Sequence, residues 1–220
     1  MAPLKTKSNK TIAEPPSLVE ENKLGLQGFR LIAGVDEVGR GALAGPVVAA
    51  AVILPQPTDF PWLESVRDSK EIPAAKREHL FKLIEEKAVA VGTGIVESQI
   101  IDSIGILNAT KIAMRIAVEQ LTCSPDFLLI DALTLPQLSI KQKGIIRGDK
   151  LCLSIACASI MAKVTRDRIM VGLDKVYPFY GLANHKGYGT KQHLSCLYQQ
   201  GPSPIHRYTF APVREAVKLL

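Results

Sequence analysis

Val47 to Leu54 is a run of eight apolar residues, closed by Gly45-Pro46 on one side and by Pro55 and Pro57 on the other. The prolines and the glycine hold it well short of the length a bilayer-spanning helix needs. A segment apolar on both faces must be covered on both, so it predicts a buried strand in a layered α/β domain. The chain has 220 residues, 47% of them hydrophobic and 22% charged. That is enough for one domain with its own core, and it excludes disordered, collagenous and disulfide-scaffold chains.

Further strands are expected at Leu31 to Val35, joined to the first by the turn Gly39-Arg40-Gly41-Ala42-Leu43-Ala44-Gly45-Pro46, and at Val89 to Val96. Phe127 to Ile130 and Gly144 to Asp149 predict two more. Helical periodicity marks Ala74 to Lys87, Asn108 to Leu121 with Asn108 as cap, Cys152 to Lys175, Thr190 to Gln200 and Pro212 to Leu220. Alternation of this kind implies a mixed sheet flanked by helices, in one domain over residues 29–220. Residues 1–28 hold Pro3, Pro15, Pro16 and several lysines without periodicity, and are expected to form a flexible N-terminal arm.

Three strands are expected to end in acids. Asp36 and Glu37 follow Val35, Asp131 follows Ile130, and Asp149 follows Ile146-Arg147-Gly148. Successive side chains on a strand point to opposite faces, so Asp36 and Glu37 can share a ligand only if the strand ends or bulges there. If the strands adjoin, the four carboxylates converge, and their repulsion must be offset by cations. Hard oxygen donors suit Mg²⁺ or Mn²⁺, and two such ions roughly 3.5 to 4 Å apart suit an in-line phosphodiester displacement. Each acid taken singly also reads as a turn or cap residue.

Gly39-Arg40-Gly41 lets the backbone approach a ligand closely, yet it is neither a Walker loop nor a dinucleotide fingerprint, since Pro46 and a β run follow it. Asp68-Ser69-Lys70 offers a hydroxyl and a cation, and equally an N-terminal cap for the next helix. Lys163, Arg166 and Arg168, with Asp167, form either a solvated helix face or a phosphate-contacting ridge. His185-Lys186-Gly187-Tyr188-Gly189-Thr190 sets an aromatic before a helix whose N-terminus could take a phosphate; the alternative is a structural loop with Tyr188 in the core. His206-Arg207-Tyr208 is a lesser candidate of the same kind.

Cys123, Cys152, Cys157 and Cys196 form no CxxC pair and have no histidine at zinc spacing. With no apolar leader among the first residues, a cytoplasmic location is expected. The net charge of +6 divides unevenly. Residues 1–140 carry 14 Lys+Arg against 17 Asp+Glu, a net of −3, whereas residues 141–220 carry 13 against 4, a net of +9. An acidic portion thus supplies three of the four candidate ligands, and a basic portion suits a polyanion.

Taken in order, these segments, together with Ala44-Gly45-Pro46-Val47, Ser154-Ile155-Ala156 and Ala162-Lys163-Val164-Thr165-Arg166-Asp167-Arg168, resemble bacterial type 2 ribonuclease H, the ribonuclease HII family, from about Leu31 to Val213. The resemblance implies a ribonuclease H-like α/β fold with a C-terminal helical segment carrying Tyr188. It implies an endonuclease that hydrolyses the RNA strand of RNA/DNA hybrids and nicks 5′ of single ribonucleotides in duplex DNA, leaving 3′-hydroxyl and 5′-phosphate ends. On that resemblance Asp36, Glu37, Asp131 and Asp149 are the catalytic ligands of Mn²⁺ or Mg²⁺. Gly39, Arg40 and Gly41 read the 2′-hydroxyl, Tyr188 stacks on the neighbouring deoxyribose, and Ser69, Lys70 and Lys163 hold the substrate backbone.

The related type 3 enzymes carry an added N-terminal substrate-binding domain, for which about 30 residues are too few. The alternative from another class is a non-catalytic basic nucleic-acid-binding module. A monomer is the default expectation, and recruitment by the replication machinery is left open.

Overall fold

Val47 to Ile53 is a strand with every residue buried, as its composition demands. The structure, a computed structural model, describes residues 15–218. In chain order the elements are α1 (Val19–Leu26), β1 (Ile32–Val38), β2 (Val47–Ile53), α2 (Ala74–Lys87), β3 (Ala90–Val96), α3 (Ser98–Ile104), α4 (Ile106–Glu119), β4 (Phe127–Asp131), β5 (Lys141–Ile145), α5 (Gly148–Leu151), α6 (Leu153–Val176), α7 (Leu182–His185), α8 (Lys191–Gln200) and α9 (Ala211–Val217). The sheet order is β3-β2-β1-β4-β5. β3, β2 and β1 pair antiparallel, and β4 and β5 add in parallel, so the sheet is mixed.

Each face of the sheet is sealed by helices. On one, Val48, Ala50 and Val52 pack with Leu80 and Ile84 of α2 and with the apolar side of α6, including Ala156, Ile160 and Val164. On the other, Val35, Ala49 and Ala51 pack with Ala109, Ala113 and Ala117 of α4. These three alanines recur every fourth residue and form a smooth ridge. Opposite them, a Cβ added at Gly94 would lie 2.0 Å from the Ala113 carbonyl oxygen. Small residues on both sides therefore set how closely α4 approaches β3.

Several boundaries differ from expectation. α4 begins at Ile106 behind Gly105, and Asn108 donates to the Ile104 carbonyl instead of capping. β5 lies at Lys141–Ile145, upstream of the expected strand, and Asp149 sits in the first turn of the short α5, not at a strand end.

The expected arm also divides. Residues 1–14 lie outside the described residues. Residues 15–28 contain α1, whose Leu24 is buried, and Ser17 bridges to Cys152. The buried Glu21 carboxylate accepts from the Ser154 N–H at 2.9 Å and its hydroxyl at 2.7 Å, in the first turn of α6. Among the described residues, no helix is long and apolar enough to cross a membrane.

Candidate active site

The β1–β4 ladder runs from Ile32–Phe127 to Val35–Ile130. Asp36 and Asp131 occupy the next positions on these neighbouring strands, where parallel side chains in register share a face. β1 does not end or bulge at Val35. It continues through Glu37 and Val38 in unbroken register with β2. What stops is the ladder on the β4 side, which leaves Glu37 free of a strand neighbour there. One carboxylate oxygen each from Asp36, Glu37 and Asp131 lies within 4.8 Å of the others.

The backbone fixes two of these acids. Asp36 Oδ1 accepts from the Glu37 N–H at 2.7 Å, and Asp131 Oδ1 accepts from the Gly148 N–H at 2.7 Å, at the start of α5. Glu37 pairs with Arg40 at 3.2 Å, while its Oε2 is buried with no hydrogen-bond partner. Burial pushes the Asp36 carboxyl well above its usual range, and the charges of Glu37 and Asp131 push the same way. Burial likewise raises Glu37 and Asp131, against Arg40 for the first and the Gly148 N–H for the second. Crowded, desolvated carboxylates with an orphaned oxygen are a donor set short of positive charge, and a hard divalent cation fits it.

Asp149 is not in this group of three. It is half-buried nearby, and its carboxyl is raised by burial and by the charges of Asp68 and Asp131. Asp68 is thus a fifth acid beside the site. Its cue, an acid in a polar loop, points equally to a cap. The cap reading fails for both Asp68 and Ser69, because α2 starts behind Pro73 with no side-chain cap. Asp68 accepts from the Lys70 N–H at 3.0 Å and faces Lys150 at 3.5 Å. The buried Ser69 hydroxyl meets that of Ser159 on α6 at 2.9 Å, and Ser159 lies beside the Asp36 carboxyl and works against the rise that burial imposes on it. Lys70 is exposed, and its charge lowers Glu37, Asp131 and Asp149.

The cations on α6 do not share one fate. Lys163 is bound to Asp167 at 2.7 Å. Arg168 pairs with Glu78 and lies 4.3 Å over the Phe81 ring. Arg166 belongs to neither a solvated face nor a phosphate ridge, since it is wholly buried under the glycine turn. Arg40 and Gly41 are exposed at the crest of that turn, and no heavy atom lies within 4 Å of where a Cβ on Gly41 would stand.

Tyr188 is half-buried, neither core nor fully exposed, with its ring 5.4 Å from the Arg166 guanidinium. Thr190 caps α8 itself by accepting from the His193 N–H at 3.2 Å. Behind Tyr188, His185 stacks on His193 at 4.4 Å, and His193 Nε2 meets His206 Nε2 at 3.1 Å. His206 and Arg207 are buried, so neither is a surface candidate. His193, a lone histidine in a helical stretch, gave no sequence signal of this cluster.

A ribonuclease HII family model matches residues 33–213. A ribonuclease HII of Dehalococcoides mccartyi strain BAV1 is 59% identical over 199 residues, covering 90% of this chain and 94% of its own. That of Geobacter sulfurreducens is 53% identical over 195 residues, covering 89% and 88%. Among solved structures, ribonuclease H2 from Pyrococcus horikoshii OT3 superposes with a TM-score of 0.70 at 25% identity, covering 85% of this chain and 97% of its own. The RNase HII of a PCNA:RNase HII complex from Archaeoglobus fulgidus gives 0.69 at 22% identity, covering 82% and 95%. Bst-RNase HIII in complex with Mn²⁺ gives 0.69 at 17% identity, covering 96% and 76%. The last two speak to the fold alone, a mixed sheet flanked by helices.

Proposed function

The chain belongs to the ribonuclease HII family and is an endonuclease of the ribonuclease H type, and from that premise we propose that it nicks duplex DNA 5′ of single embedded ribonucleotides as well as hydrolysing the RNA strand of hybrids. Family membership sets aside the alternative of a non-catalytic binding module. The products of the proposed reaction are 3′-hydroxyl and 5′-phosphate ends, in ribonucleotide removal and RNA primer removal. The archaeal neighbour's complex with PCNA makes recruitment to the replication machinery part of the proposed setting.

The observation that carries this reading is the meeting of Asp36, Glu37 and Asp131 within 4.8 Å, at the sheet end next to the Gly39-Arg40-Gly41 turn, whose Arg40 and Gly41 are exposed. In the proposal these three acids hold Mn²⁺ or Mg²⁺, and Asp149, outside the group, contributes to a second ion. When bound, two such ions lower the pKa of an attacking water and offset charge on the phosphate and the leaving oxygen. The Glu37 N–H orients Asp36, and the Gly148 N–H orients Asp131.

The backbone of Gly39, Arg40 and Gly41 reads the 2′-hydroxyl, the group that separates RNA from DNA at one residue. The open space over Gly41 leaves room for a ribose. Tyr188 packs on the adjoining deoxyribose, held from behind by Arg166. Lys70 lends charge to the substrate backbone and Ser69 steadies its loop, whereas Lys163 joins them only by releasing Asp167.

The test is a DNA duplex bearing one ribonucleotide, incubated with Mn²⁺ or Mg²⁺. We expect one nick on its 5′ side, and none with Asp36→Asn. An intact duplex, or undiminished nicking by the variant, overturns the reading.

A further inference from the structure

Two arginines have no access to solvent, Arg166 on α6 and Arg207 between α8 and α9. Neither makes an ion pair within 4.0 Å among the described residues; their guanidinium groups hold backbone carbonyl oxygens. Arg166 donates through Nε to Pro46 at 2.8 Å, through Nη2 to Ala44 at 3.1 Å and through Nη1 to Lys186 at 2.8 Å. Arg207 donates through Nη1 to Arg40 at 2.9 Å, and through Nε and Nη2 to Gly45 at 3.1 and 2.9 Å. The acceptors lie on two segments about 140 residues apart in sequence, the 39–46 turn and the loop carrying Tyr188. One backbone bond joins the same segments, from the Leu43 N–H to Gly187, and a second, from the Arg207 N–H to Leu43, ties the segment carrying Arg207 to the turn, each at 2.8 Å.

A buried charge without a counter-ion is a poor choice for stability alone, because an apolar side chain would fill the space without the desolvation cost. What a guanidinium supplies, and a methionine or lysine cannot, is a rigid planar fork that fixes several carbonyl directions at once. At Arg40 this has a direct consequence. The peptide is planar and trans, so holding the Arg40 carbonyl inward turns the Gly41 N–H outward, to the exposed crest of the turn. Gly39 completes the arrangement, since a Cβ there would stand 2.2 Å from Arg166 Nε.

We propose that Arg166 and Arg207 are positioning residues that set the 2′-hydroxyl specificity of the site, by locking the 39–46 turn and the Tyr188 loop into one rigid reader. The proposal rests on the reading of that turn and of Tyr188 as substrate contacts. Discrimination of a hydroxyl from a hydrogen requires a partner fixed within hydrogen-bond tolerance, whereas contact with phosphates tolerates looser placement. Loosening the fork thus costs discrimination before it costs affinity.

The test uses fluorescence anisotropy with the full chain in EDTA, at temperatures well below melting. It compares a DNA duplex carrying one ribonucleotide with the same duplex carrying the deoxyribonucleotide. We expect Arg207→Lys and Arg166→Lys to lower the ribo-over-deoxy affinity ratio at least about tenfold, with all-DNA affinity held within about twofold. Gly41→Ala, whose Cβ meets nothing in the protein, separates the two ideas. If it lowers the ratio while both lysine variants keep theirs, the positioning role falls and the reading of the turn stands. If it keeps the ratio, or wild type shows no preference, both fall. A lowered melting temperature with an intact ratio is a purely structural role and overturns the proposal. Should a lysine variant fail to fold, hydrogen exchange on wild type decides. The Leu43 and Arg207 amides are expected to exchange as slowly as the core of α6, and rapid exchange at either refutes a locked reader.

Discussion

Asp36 is ionised at a cost. Burial and two neighbouring carboxylates oppose its charge, so an amide in its place, which still accepts from the Glu37 N–H, relieves strain while removing a ligand. The same holds for Asp131, whose Oδ1 has only the Gly148 N–H to satisfy. Asp131→Asn is expected to lower the nicking rate at least about 100-fold with the melting temperature unchanged or raised. Activity and a thermal melt on one sample check this, and a large fall in melting temperature would point to a structural role. His206 behaves in the opposite sense. Burial first, then the charges of His193 and His185, lower its pKa from 6.5 to about 4. Between those values the unfolded chain binds a proton that the folded one refuses. This contribution is therefore intact above about pH 6.5 and is lost toward pH 4, by about 3 kcal/mol. The site acids, raised by folding, shift stability the other way, so the decisive quantity is the difference between wild type and His206→Asn in urea unfolding at pH 7 and pH 4.5. A difference independent of pH would contradict it.

At the scale of elements, α1 is the clearest departure from what the sequence shows. Its residues sit after two prolines and carry charges on all sides, so nothing periodic announces a helix, and only the fold explains why Glu21 is buried. Its carboxylate caps α6 from outside, and Glu21→Ala strands the Ser154 N–H and hydroxyl. We expect a loss of about 2 kcal/mol in urea unfolding, and a loss within error would make α1 dispensable. The sheet was legible because alternation and apolar runs act locally: Val47 to Ile53 and Phe127 to Asp131 declare themselves. The sequence places Asp149 at a strand end because four residues of α5 are too few to show a helical period. Arg166 reads as a surface residue because arginines usually lie there, and the Pro46 and Ala44 carbonyls that hold it inside come from residues some 120 positions earlier. The acids can be read as residues, and their convergence only on the condition that the strands adjoin; that three of the four meet depends on where the β1–β4 ladder stops.

The whole molecule combines an acidic site with a basic C-terminal portion, and binding to a polyanion should register that as salt sensitivity. The affinity for a ribonucleotide-bearing duplex is expected to fall between about 50 and 200 mM salt, with a logarithmic slope near −0.9 per phosphate contacted. Anisotropy titrations measure it, and a flat dependence would deny the basic portion its role. The sheet order also governs assembly in time. β1 has β2 as a local partner, but its other edge waits for β4, which begins 95 residues after β1 does. A chain emerging from the ribosome therefore completes the three-stranded meander β1 to β3 while one apolar strand edge is still unpaired, an invitation to wrong partners. Closing that edge is the same event that brings Asp131 beside Asp36, so the chain gains its cluster of negative charge only at the moment it loses its stickiest surface.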